Sequence, residues 1–315
     1  MTPLYLQAAG SGLLARRVVQ AEKLLNPCTL CPRQCRVDRS AGERGYCGSG
    51  RLAEVASYGP HFGEESVLVG SGGSGTIFFC GCNLRCTFCQ NYAISHGEDS
   101  DCRPVSDHEL AAIMVQLQNL GCRNINFVTP THVIPQILAA LPAAVEAGLK
   151  VPLVYNCGGY ERVETLQLLE GIFDIYMPDA KFSHPESGLR YANAADYPEM
   201  LQAALGEMQR QVGDLQIHGD GLAVRGLLVR HLLMPEGLGE AEEIFRFLAE
   251  DISRNCYLNI MDQYRPCGQL AGRPGTPPTI STAYHDAAIR AAETAGLLRL
   301  DRRDMAVFLR RLLAL

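Results

Sequence analysis

The sequence predicts an α/β chain built on a parallel sheet, in the form of an open, partial (β/α)6 barrel of TIM type. Two observations predict it. Short apolar runs alternate with helical patterns from residue 71 to about 265, the signature of parallel strands joined by helical crossovers. Polar, ionisable or glycine residues stand at the carboxyl end of each of six such runs, where parallel α/β folds keep their functional groups. A flat doubly wound sheet fits the same pattern. An N-terminal cysteine-rich metal-binding segment (1–70) and a C-terminal loop with helices (266–315) flank this core.

The elements follow in order. MTPLYLQAAGSGLLARRVVQAEKLL at the start lacks a basic stretch ahead of an apolar core, so it reads as a helical lead-in rather than a secretion signal. The expected strands are TIFF (76–79), NINFV (124–128), VPLVY (151–155), FDIYM (173–177), GLLVRHLL (226–233) and CYLNIM (256–261), rich in β-branched and aromatic residues. Ser106 and Glu109 form a capping box ahead of LAAIMVQLQNLG, which stops at Gly121. Further helices are expected over 133–147, 161–170, 198–211 and 239–251. PCGQLAGRPGTPPTI (266–280) reads as a loop, with helices over 281–297 and 302–314 beyond it.

Composition bounds the function. The chain has 315 residues, 47% hydrophobic and 20% charged, with a net charge of -6. That balance argues against a broad nucleic-acid-binding face. No apolar run reaches the ~18 residues of a membrane span, and the expected location is the cytoplasm. Eight of the thirteen cysteines fall in two tight clusters. Without an export signal, clustered thiols point to metal or iron–sulfur ligation rather than disulfides.

The first cluster is Cys28, Cys31, Cys35 and Cys47, within CTLCPRQCRVDRSAGERGYC. Four thiolates make a closed site, and either a structural zinc or an auxiliary [4Fe-4S] cluster fits. The second cluster is Cys80, Cys82, Cys86 and Cys89; the last three of these share the loop after the first strand. The spacing Cys-x3-Cys-x2-Cys suits a [4Fe-4S] cluster held by three thiolates, which leaves one iron open for a small molecule. Cys80 would point to the same face as Cys82 in an extended chain; it is expected beside the cluster, not as its ligand. Cys102, Cys122 and Cys256 are expected to be small buried hydrophobes.

CNLRCTFC resembles the signature of the radical S-adenosylmethionine (radical SAM) superfamily, with Phe88 as the aromatic residue before the last cysteine. The resemblance implies that S-adenosylmethionine chelates the open iron. Its reductive cleavage then gives a 5′-deoxyadenosyl radical that abstracts hydrogen. GSGTIFF before the cysteines and QNY after them resemble the activases of glycyl radical enzymes, the pyruvate formate-lyase activating enzyme type. In that family the segment after the second strand receives the amino group of S-adenosylmethionine. Here it is Thr129–Pro130–Thr131–His132, with Thr131 or His132 as the side-chain candidate.

NCGGY and PDAK resemble the turns after the third and fourth strands, where two acidic positions help bind a monovalent cation. Asn156 and Asp179 occupy them, and Lys181 would reach a carboxylate. His231 resembles the fifth-strand position that packs on the nucleoside. Cys157 and Cys267, at strand ends, are candidate hydrogen donors or substrate contacts. His61, Glu64 and Glu65 in YGPHFGEE are candidate acid–base groups or part of a packed linker. The resemblance implies a reducing donor such as flavodoxin or ferredoxin and a protein or peptide substrate. Two other functions stay open: radical modification of another molecule, and a non-catalytic iron–sulfur carrier or interaction protein.

Overall fold

The structure is a computed structural model that describes residues 1–97, 101–235, 237–274 and 279–301. The strands are β1 (Ala53–His61), β2 (Ser74–Phe79), β3 (Arg103–Val105), β4 (Ile125–Val128), β5 (Leu153–Cys157), β6 (Ile175–Pro178), β7 (Gln216–Ile217), β8 (Ala223–Leu232), β9 (Tyr257–Met261) and β10 (Arg299–Leu300). They form one sheet in the order β10-β9-β8-β6-β5-β4-β2-β1-β3, with β7 paired to β8. From β2 to β10 along this path every pairing is parallel. β1 runs antiparallel to both β2 and β3.

All six expected strands are present, but the sheet does not close. The hairpin of β1 on β2 occupies the edge that a closing strand would need. The result is an open parallel sheet rather than a finished barrel. β1 is the main element absent from the sequence reading: its GPH stretch looks like a linker. β5 and β6 are buried along their whole length, as expected for parallel strands covered on both faces.

The helices are α1 (Leu4–Gly10), α2 (Leu13–Glu22), α3 (Ser66–Val69), α4 (Tyr92–His96), α5 (Asp107–Asn119), α6 (Ile134–Glu146), α7 (Val163–Leu169), α8 (Pro185–Ala192), α9 (Tyr197–Val212), α10 (Leu238–Phe247) and α11 (Thr282–Ala295). The Ser106–Glu109 capping box starts α5. α8, which the sequence reading lacks, begins with Pro185 and ends at the left-handed Asn193. The helix expected over 302–314 lies outside the described residues. No helix among the described residues is long and apolar enough to cross a membrane.

The N-terminal helices α1 and α2 pack on α6. Buried Asp174 holds them in place: it accepts the backbone N–H of Leu4 at 2.9 Å and of Leu153 at 3.1 Å. Asp174→Ala would leave both donors unpaired, at about 1–3 kcal/mol each. The expected result is faster hydrogen exchange in α1 and α2; unchanged protection there would refute the tie.

Candidate active site

The loop after β2 turns sharply at Gly81, whose φ is 83°. Its backbone N–H donates to Ile94 at 2.8 Å. Cys82, Cys86 and Cys89 then face a common cleft of about 370 Å³. The N–H of Leu84 donates to Cys82 Sγ at 3.3 Å, and the Ser95 hydroxyl to Cys89 Sγ at 3.4 Å. Burial pushes the thiols of Cys82 and Cys86 up to about 11 and about 12. Alone they would stay protonated; metal ligation requires the thiolate. Three convergent thiols with N–H and O–H donors to sulfur fit a cluster with one open iron.

The other strand ends surround these thiols. Phe88 lines the cleft and packs edge-on against Phe182 and Tyr191. Asn156 and Cys157 come from β5, and Asp179 and Lys181 follow β6. Lys181 Nζ stands 2.5 Å from Asp179 Oδ2. Burial works against its charge, but Asp179 outweighs burial and raises the Lys181 pKa. The Tyr197 hydroxyl, from α9, receives the Lys181 N–H at 3.0 Å and lies 2.9 Å from the Gly158 carbonyl, clamping the two loops together.

Arg230 of β8 and Glu64 close the opposite wall. The Arg230 guanidinium grips Glu65 through two N–H···O bonds of 2.7 Å and also pairs with Glu64. Burial alone would raise Glu64, yet Arg230 pulls it down to about 2. Asn259 donates to Glu65 at 2.6 Å.

Several expected site residues lie elsewhere. Thr131 is fully buried and donates to Glu161 Oε1 at 2.6 Å. Thr129, in left-handed backbone at φ 58°, takes the place at the cleft. His231 points away from the cleft: its Nδ1 bonds the Ala180 carbonyl at 2.7 Å and its ring meets Phe245. Side chains alternate across a strand, so Arg230 faces in and His231 faces out. Cys267 caps the short turn Gly268–Leu270 and is not among the cleft-lining residues.

Cys80 forms a disulfide with Cys102, so neither is a free packed thiol. The turn at Gly81 breaks the extended geometry that would have put Cys80 beside Cys82. Cys122 and Cys256 are buried as expected. His61 and Glu64 line the cleft. Sequence reasoning did not single out Arg230; its signal was a charged residue directly after the apolar run 227–229.

Glu161, under the cleft floor, also accepts the Tyr155 hydroxyl at 2.9 Å and pairs with the Cys157 thiol. Burial pushes its pKa from 4.5 to about 7. Between these values the folded protein holds a proton that the unfolded chain has released. Stability therefore falls as pH rises through this window, by ~3 kcal/mol for this group. Glu161→Gln should flatten the fall in denaturant melts between pH 5 and 7. A remaining slope would come from Asp174, which burial raises to about 6; an unchanged slope would refute the assignment.

The four N-terminal thiols also come together. Cys28, Cys31, Cys35 and Cys47 line one enclosed cavity with Arg39 and His132. His132 Nε2 bonds the Cys80 carbonyl at 2.8 Å.

The chain is 34% identical over 264 residues, 81% of its length and 70% of the relative's, to an uncharacterized protein of Methanocaldococcus jannaschii. Residues 76–211 match the Radical SAM superfamily. The chain belongs to that superfamily. The radical SAM match begins inside β2 and runs through α9, so it covers the thiol loop and the ends of β4, β5 and β6. Membership implies a [4Fe-4S] cluster and S-adenosylmethionine, and makes the protein a radical SAM enzyme. Arg230 and the four N-terminal cysteines lie outside the matched segment.

Proposed function

We infer that this radical SAM enzyme abstracts hydrogen from an extended peptide segment of another protein, as an activase of a glycyl radical enzyme does. One observation carries the reading. Phe78, Gln90 and Asn91 line both the cleft and a second groove that continues to Tyr92, Ile94 and Asp101. Two adjoining pockets that share three lining residues suit a chain rather than a compact small molecule. The amides of Gln90 and Asn91 offer both donor and acceptor to a peptide backbone.

When bound, the cluster supplies the electron that splits S-adenosylmethionine. The chain's residues do the rest. Cys82, Cys86 and Cys89 would hold the cluster, with Phe88 packed behind it. Lys181 lies close enough to act on the charges of Cys82 and Cys86, and its ammonium, paired with Asp179, would take a carboxylate. Asp179 keeps that ammonium charged, and Asn156 adds a neutral amide beside it. A flavodoxin or ferredoxin would supply the electron.

The test is anaerobic turnover with dithionite and S-adenosylmethionine, with and without a candidate glycyl radical enzyme. The expected products are 5′-deoxyadenosine and a glycyl radical signal on the partner. Cleavage without a radical or modification on any protein or peptide offered would sink the peptide reading. No cleavage by cluster-loaded protein would sink the enzyme reading as well.

A further inference from the structure

We propose that the cavity of Cys28, Cys31, Cys35 and Cys47 holds a second [4Fe-4S] cluster, bound by all four thiolates, that passes electrons to the cluster of the radical loop. The relay rests on the radical SAM reading of the cleft; the second cluster itself does not.

The first support is charge. Arg39 lines the cavity and is 1% exposed. Its guanidinium donates to backbone carbonyls alone: His132 at 2.8 Å and Gly50 at 3.0 and 2.9 Å. None of the ion pairs among the described residues includes it. A buried cation needs a counter-charge, and four metal-bound thiolates carry one.

The second support is the shape around the sulfurs. The backbone N–H of Tyr46 donates to Cys35 Sγ at 3.3 Å. A Cβ on Gly45 would stand only 2.9 Å from the same sulfur, so glycine alone fits there. Hydrogen bonds to ligand sulfur are one of the means by which proteins set cluster potentials.

The third support is position. A Cβ on Gly81 would overlap the Cys47 carbonyl oxygen, and Gly81 directly precedes Cys82. Arg33 Nε donates to the Asn83 carbonyl at 3.0 Å, and the Tyr46 hydroxyl to that of Leu84 at 3.4 Å. Asn83 and Leu84 lie between two of the radical-loop cysteines. The four-thiol site is therefore built onto the back of the loop that needs an electron. Cys35 is partly exposed between exposed Gln34 and Arg36, which marks the outward side. Zinc at this position would hold the segment but carry no electron, because it has no redox chemistry.

The step balances simply. An external one-electron carrier protein reduces the second cluster. That cluster is reoxidised as the first takes the electron. No bond forms or breaks and no proton moves.

The test is anaerobic reconstitution of the full chain with iron and sulfide, then metal analysis and EPR of the reduced protein. The wild type should hold about eight irons, and its two reduced clusters should show spin–spin coupling. Cys28→Ala/Cys31→Ala and Cys82→Ala/Cys86→Ala should each keep about four irons and lose the coupling. With a flavodoxin as sole reductant, the first variant should form 5′-deoxyadenosine at least about tenfold more slowly. Zinc beside about four irons in the wild type, or no second metal, overturns the proposal whether or not any variant folds. Uncoupled clusters with an unchanged flavodoxin-driven rate overturn the relay. Coupled clusters without any S-adenosylmethionine cleavage would uphold the second cluster and defeat the proposed function instead.

Discussion

Cys86→Ala is expected to reduce S-adenosylmethionine cleavage to background while the protein stays folded. Cys86 is buried and stands between Cys82 and Cys89 on one short loop. A cluster of this kind has three protein thiolates and no spare, so the loss of one leaves two irons open and the cluster labile. The fold does not depend on this thiol, because the backbone of the loop is held by other groups. Thr87 N–H donates to Tyr191 at 2.8 Å, and Gln269 N–H to Thr87 at 2.9 Å. The check is iron content and 5′-deoxyadenosine yield, read beside a Cys122→Ala control. Cys122 is buried beyond the cleft, and its variant should keep the iron. Retained cleavage in Cys86→Ala would remove this thiol from the ligand set.

Arg230→Met is expected to be the most destabilising single change at the cleft, by about 3–5 kcal/mol. It leaves Glu65 fully buried without its cation, and leaves Glu64 with His61 as its remaining partner. Arg230→Lys should recover little, since an ammonium cannot make the two parallel bonds to Glu65. Adding Glu64→Gln and Glu65→Gln to Arg230→Met should regain much of the loss, because the unpaired charges go with the arginine. Urea titration checks all three proteins. A loss below about 1 kcal/mol in Arg230→Met would mean that water reaches the carboxylates and that the wall is open.

The sequence by itself determined whatever depends on near neighbours. The three-cysteine spacing lies within eight residues, so its chemistry needed no fold to be legible. The six parallel strands were equally legible, because strands buried on both faces are continuous apolar runs. The Ser106–Glu109 cap is local and stands as expected.

Tertiary structure alone decided which residues meet at long range. The Arg230–Glu65 pair spans 165 positions, and no local pattern links them. The Cys80–Cys102 disulfide depends on where β3 returns to β1. The exchange of His231 for Arg230 at the cleft is a matter of strand phase, and that of Thr131 for Thr129 comes from the left-handed turn at Thr129 just past β4. Apolar content reveals that a strand is buried, but both faces of a covered parallel strand look alike. Only the packed sheet decides which face looks into the site.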